Sequence, residues 1–283
     1  MNPQEEAEMA LTVNTNLASM NALTNLNRTT RSLGGTFERI SSGLRINKAA
    51  DDAAGLAVAE NLSAASGSAR VAMRNTNDGI SVVQTAEGAT SEVVNLVKRM
   101  RELAVQSSSE TLDDDERAYI QEEFVQLSDE IDRISLSTEF NGTALGDGVT
   151  TSLDVQVGIN NTANDRISIG VGDLRTTVLG VDTATIDLST ASGAQSAIDS
   201  LDTALDTVSS YRSTYGAVQN RLDSALRNLE TYTENLSAAE SQIRDADFAY
   251  ETAEMAKQQI LQQAGVSILS QANAVNQGAL ALL

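Results

Sequence analysis

Residues 255–283 read MAKQQILQQAGVSILSQANAVNQGALALL, and beyond Lys257 they hold no charged side chain. Apolar residues recur every three or four positions: Ala253, Ala256, Ile260, Ala264, Ile268, Ala272 and Val275, with Leu261 and Leu269 widening the stripe. That period places them on one face of a helix. The other face carries Gln258, Gln259, Gln262, Gln263, Gln271 and Asn273, amides that need partners once they leave water. A membrane span requires a nearly continuous apolar run, which these glutamines interrupt. The segment reads as a helix made to lie against other protein.

Such a helix needs a mate, and the other end of the chain offers one. Leu17, Met20, Leu23, Leu26, Thr30, Leu33, Phe37, Ile40 and Leu44 share the same spacing, with Asn14 to Asn16 able to cap the start and Gly34–Gly35 as a soft point. Alone in water this helix is marginal. The chain leaves it near Ser41–Gly43 and restarts at Asp51 or Asp52. A helical pattern then runs through Val71, Ile80, Val83, Ala86, Val93, Leu96, Val97, Met100, Leu103 and Ala104 to about Ser108. Its length implies a bundle or coiled coil. Asp113 and Glu116 form a capping box for the next helix, whose apolar face is Tyr119, Ile120, Phe124, Leu127, Ile131, Ile134 and Leu136.

Between about 139 and 188 the period changes to two. Leu153, Val155, Val157 and Ile159 alternate, as do Ile167, Ile169 and Val171, so a β-hairpin is predicted, with Asn141–Gly142 as a turn signal upstream. Helical spacing returns from Ala197 through Leu229 and on to about Ala238. The predicted fold is mainly α: a long antiparallel helical bundle or coiled-coil rod with one small β-hairpin region and its two termini together.

Composition narrows the chemistry. The 283 residues include no His, Cys or Trp, one proline (Pro3) and 3% aromatics. Missing His and Cys remove the commonest metal ligands, the usual nucleophile–base pairs and all disulfides. The acidic run Asp113–Glu116 lacks the spacing and glycine of a calcium loop, and Gly142, Gly146 and Gly148 precede no phosphate-binding or dinucleotide signature. No catalytic, cofactor or metal site is expected. Net charge is −20, unevenly spread. Residues 9–50 carry five cations against Glu38 alone, while residues 51–242 carry −19 of the net charge. Such a middle repels nucleic acid and anionic lipid, and the nearly neutral ends are free to pack. The start, MNPQEEAEM, places acids where a secretory signal has bases and no apolar core follows, so no cleaved signal peptide is expected. Met9 offers a second start, making residues 1–8 an appendage.

Three blocks carry a family resemblance. VNTNLASMNALTNLNRTTRSLGGTFERISSGLRINKAADDAAGLAVAENL at 13–62, RMRELAVQSSSETLDDDERAYIQEEFVQLSDEIDRISLSTEFNG at 99–142 and SQIRDADFAYETAEMAKQQILQQAGVSILSQANAV at 241–275 are similar, in order, to bacterial flagellins. ERISSGLRIN and DDAAGLA are strong signatures. The resemblance implies a structural subunit of the flagellar filament, not an enzyme. Residues 1–50 and 243–283 would form a terminal coiled-coil domain lining the filament core. Residues 51–242 would form a helical-bundle rod domain with the β-hairpin region at about 139–188. About 17 residues separate Val171 from the next helical pattern, so the outer variable domains of larger members are expected to be absent.

The same resemblance implies partners: further copies of the chain, the flagellar cap protein, hook-associated proteins and an export chaperone, with export through the flagellar type III channel to the cell exterior. Leu17, Leu26, Leu33, Ile260, Ile268 and Leu269 are the expected inner-core assembly residues. Arg99, Leu103, Gln106 and Glu123 match positions that flagellins present to a host Toll-like receptor, and their main expected role is subunit packing. Neither nucleic acid nor membrane insertion is expected. Asn276 departs from the proline many members have near the end. Rival readings are a hook–filament junction protein, or a secreted binding module or adhesin.

Overall fold

The computed structural model describes residues 15–280, and their side chains up to Ala274. The acidic start, Met9, Asn14 and the side chains of Val275 and Asn276 lie outside this description. Two compact units are present, residues 1–63 with 237–283 and residues 64–236.

The first unit holds α1 (Leu17–Ser42) and α6 (Phe248–Leu280). Asn16 caps α1 by accepting from the Ser19 amide at 2.9 Å. Gly43, at φ 72°, ends it in a left-handed turn whose amide donates to the Arg39 carbonyl. The helix runs unbroken through Gly34–Gly35, because pairing with α6 outweighs a propensity cost of about 1 kcal/mol per glycine. Asp247 opens α6, its carboxylate accepting from the Ala249 and Tyr250 amides. Helix α2 (Ala53–Ser107), capped by Asp52 on the Gly55 amide, and helix α5 (Ala191–Arg244) each contribute residues to both units.

The second unit is built on apolar positions of α2 and α5 at three-, four- and seven-residue spacing. At one end Val93, Val97, Met100, Leu103 and Ala104 of α2 meet Ala194, Ala197, Leu201, Ala204 and Val208 of α5. Farther along, Val83 and Ala86 share a core with Tyr215, Val218 and Leu222, and Ala69 and Ala72 with Leu229. The pairing is therefore antiparallel. Helix α3 (Asp114–Ser137) starts with the expected Asp113–Glu116 capping box and adds Ile120, Phe124 and Ile131 to the first core. Arg117, itself buried, donates to the carbonyls of Ser107, Ser109 and Leu112 and so ties off the C-terminal end of α2.

The β region contains two hairpins where one was expected. Strands β1 (Glu139–Phe140) and β2 (Thr143–Ala144) pair around Asn141 and Gly142, both at positive φ, so that turn signal closes its own small hairpin. Strands β3 (Ser152–Gln156) and β4 (Arg166–Gly170) pair antiparallel, with Leu153 opposite Ile169 and Val155 opposite Ile167, as the alternation predicts. Ile167 and Ile169 seal the α2–α5 core. The segment that follows was read only as a short connection, yet it is structural. Around the single-turn α4 (Thr176–Leu179) it buries Leu174, Leu179, Val181, Ile186 and Leu188 in the first core. Polar anchors hold it: Thr176 donates its amide and hydroxyl to Asp132, the Leu188 amide donates to Gln121, and the Gly172 amide donates to the Tyr215 hydroxyl. No described helix is long and apolar enough to cross a membrane.

Candidate assembly interface

Helices α1 and α6 pair antiparallel with a register fixed at both ends. At one end Asn16 Nδ2 donates to the Ala272 carbonyl at 3.0 Å and Ser19 donates to Asn273 Oδ1. At the other, Arg39 Nε donates to Glu251 Oε1 at 2.7 Å. Beyond it the Arg45 amide donates to the Arg244 carbonyl and the Ala246 amide to that of Gly43.

The sides the two helices turn toward each other are mostly small or polar. On α1 the less exposed positions are Ser19, Ala22, Leu26, Thr29, Leu33 and Thr36; on α6 they are Glu251, Met255, Gln258, Gln262, Gly265, Leu269 and Ala272. Gly265 lies against Leu26, where an added Cβ would reach ordinary contact distance of Leu26 Cδ1 at 3.4 Å. Glu251 and Gln258 are buried, and neither Glu251 Oε2 nor Gln258 Oε1 meets a donor among the described residues.

The apolar stripe on α6 consequently faces outward. Ile260 is 67% exposed and Ile268 60%, with Leu261 and Val266 about half exposed. On α1, Leu17 is 65% exposed, and Met20, Leu23 and Phe37 are exposed too. Of the six residues expected at an inner core, Leu26, Leu33 and Leu269 are half-buried between α1 and α6, while Leu17, Ile260 and Ile268 are left uncovered. Sequence reasoning put the amides on the far side because it compared faces by hydropathy alone. The Arg39–Glu251 ion pair, whose carboxylate is buried on this side, carries no hydropathy signal. Exposed Phe248 and Tyr250 were also missed, as they precede the periodic stripe.

Of the four residues matched to a receptor or subunit surface, two come together. Arg99 on α2 pairs with Glu123 on α3 at 2.8 Å and with Glu102 at 3.1 Å, and these carboxylates hold the guanidinium pKa above its usual value. Gln106 is exposed nearby in sequence. Leu103 is a correction: at 1% exposure it belongs to the α2–α3–α5 core and presents nothing to a partner in this fold. Among the described residues, no group of three or more carboxylates is placed to hold a metal ion.

Comparison with known proteins agrees with this architecture. The family model for the bacterial flagellin N-terminal helical region matches residues 13–151, and that for the C-terminal helical region matches residues 198–283. A flagellin of Halalkalibacterium halodurans is 44% identical over 271 residues, covering 96% of this chain and 99% of its own. A flagellar filament core protein of Brachyspira hyodysenteriae is 38% identical over 284 residues, covering 96% of this chain and 99% of its own. The crystal structure of Bacillus cereus flagellin is 32% identical and covers 59% of this chain and 94% of its own, with a TM-score of 0.49. With both end regions matched and full-length relatives well above 30% identity, the chain belongs to the bacterial flagellin family, as a short form without a large variable domain.

Proposed function

We propose that this chain is a structural subunit that polymerises into the extracellular flagellar filament used for swimming, and that the outward faces of α1 and α6 drive the polymerisation. One observation carries the second half of this reading: the terminal pair folds with its apolar side outward, Leu17, Ile260 and Ile268 among it. An apolar face of that extent on a soluble monomer marks a surface that other protein covers. Polymerisation then supplies the burial that the isolated pair lacks, about 25 cal/mol for each Å² of apolar surface removed from water. Replacing Ile260 by Asp places a charge in that contact in every copy and should abolish filaments, leaving the circular dichroism of the monomer unchanged. Electron microscopy showing normal Ile260→Asp filaments would sink this assignment.

The finer reading follows the family. Residues 1–50 and 243–283 line the filament core, and the chain leaves the cell by flagellar export without a cleaved signal. The cap protein, hook-associated proteins and an export chaperone are its partners before and during assembly. Arg99, Gln106 and Glu123 form a subunit contact that the monomer offers to a host Toll-like receptor; silence of receptor-bearing cells toward monomer, beside a normal response to an active flagellin, would dismiss that part. A filament role is favoured over a junction or adhesin role by full-length identity to a flagellin and to a filament core protein.

A further inference from the structure

The second unit divides its charge unevenly along its length. Residues 84–137 and 171–215, which contain the whole first core, hold seven cations against nineteen acids. Residues 64–83, 153–168 and 216–236, which contain the third core, hold five against six. The arginines follow the same division. In the acid-rich part Arg99, Arg101, Arg133, Arg175 and Arg212 pair with carboxylates, and Arg117 donates to carbonyls. In the other part Arg70, Arg74, Arg166, Arg221 and Arg227 are all exposed, and none makes an ion pair among the described residues.

Two of these five converge. Arg166 on β4 and Arg221 on α5 line a cavity of about 590 Å³ between the β3–β4 hairpin and α5, beside Asn164, Asn220 and Ser224, and no carboxylate lines it. Neutral oxygens hold Arg166 in place: its Nε donates to Gln156 Oε1 at 3.1 Å and its Nη2 to Asn161 Oδ1 at 2.6 Å. That guanidinium is oriented while its charge stays uncompensated, and Arg221 has no hydrogen bond at all among the described residues. Two such planar forks of N–H donors match the oxygens of carboxylates. Parallel copies packed side by side in register would set acid-rich part against acid-rich part, which like-charge repulsion opposes. Displacing one copy by roughly 30–40 Å along helices that rise about 1.5 Å per residue lays the cavity against the acid-rich part of its neighbour instead.

We infer that the cavity between the β3–β4 hairpin and α5 receives carboxylate side chains from residues 84–137 or 171–215 of a second copy, with Arg166 and Arg221 as the donors. The inference rests on the filament reading above. It adds to the apolar contact of the terminal helices a polar contact of the second unit, one that selects a displaced neighbour over one in register.

Only Lys48, Lys98 and Lys257 carry side-chain amines, so one added amine is easily followed. The full-length Arg221→Lys variant keeps the charge and supplies that amine. Its filaments, assembled from isotopically light and heavy copies and treated with a water-soluble carbodiimide, gain amide links where amine and carboxylate touch. Mass spectrometry should find the new amine joined to a carboxyl of residues 84–137 or 171–215, in mixed light–heavy pairs. A link within one copy, a link to another region, or no link overturns the inference. Arg221→Glu should leave the thermal midpoint of the monomer unchanged, because the side chain has no partner there. It should raise the critical concentration for polymerisation about tenfold in roughly 0.05 M salt and about twofold or less in roughly 0.5 M. An unchanged critical concentration at low salt also overturns the inference. Absence of filaments from the wild-type chain would strike the filament reading itself and is separate from these outcomes.

Discussion

Along α5, from Ala194 to Leu236, apolar side chains recur at three, four and seven residues and nearly all are buried. Along α6 the buried side chains described are Glu251 and Gln258, while Ile260 and Ile268 are mostly exposed. Both helices are long, alanine-rich and poor in aromatics, so composition does not explain the contrast. What differs is where the partner comes from. Helix α5 finds its partners, α2 and the β region, within its own unit, and its hydrophobic term is satisfied in the monomer. Among the described residues helix α6 packs chiefly against α1, across a face of small and polar groups that fixes register. Its apolar side is left exposed among the described residues, which is what the proposed contacts between chains would cover.

Substitutions can break this comparison from either side. The largest effect is expected in the second unit: Phe124→Ala empties a fully buried site in the first core and should cost about 3–5 kcal/mol, read as a fall in the thermal midpoint of the monomer. Ile260→Ala, removing an apolar side chain from α6, should leave that midpoint within about 0.5 kcal/mol, since the described residues leave it mostly exposed. Equal losses from both would erase the distinction.

A smaller effect tests the polar face. Glu251→Ala removes the carboxylate that holds Arg39, which is a third exposed and can rehydrate. A loss of about 1–3 kcal/mol is expected, confined to hydrogen exchange of α1 and α6 amides. Tyr215→Phe, in the second unit, leaves the buried Gly172 amide without its acceptor and should cost about 1–2 kcal/mol. The smallest effect is pH. Arg175 beside Asp173 and Arg101 beside Asp202 hold those carboxyls below the usual aspartate range. Their folded pKa values are depressed, so their contribution is complete above the unfolded value near 3.8 and is lost as pH falls through the folded values. Acid should therefore weaken the second unit slightly below about pH 4, and Asp202→Asn should flatten that dependence.

Much of this was legible in the sequence, and the parts that were not have physical reasons. Helix positions followed from apolar spacing and from the caps at Asn16, Asp52 and Asp113, because both signals are local. The β3–β4 hairpin followed from strict alternation. The segment 171–190 escaped notice because its buried residues, Leu174, Leu179, Val181, Ile186 and Leu188, obey neither period; they are held by the single contacts of Asp132, Gln121 and Tyr215 from distant elements. The apolar stripe on α6 was found, but its facing was not. Hydropathy ranks Ile260 above Gln258 for burial, whereas the Arg39–Glu251 pair and the hydrogen bonds of Asn16 and Ser19 hold the polar side of α6 against α1. Leu103 was misassigned to a surface because a motif match gives residue identity and not orientation.

The antiparallel pair α2 and α5 has a mechanical consequence. These helices run 55 and 54 residues, each an unbroken ladder of backbone hydrogen bonds about 80 Å long, with no proline in either. Two ion pairs cross between them, Arg101 to Asp202 and Arg212 to Glu87, at separate points along their length. Sliding one helix past the other by a single residue, about 1.5 Å, would strain both ties and unseat every interdigitated side chain between them. The pair therefore behaves as a laminated beam, compliant at its surface and stiff in shear. Within the second unit, a load along the pair should therefore be carried without slip between its two helices.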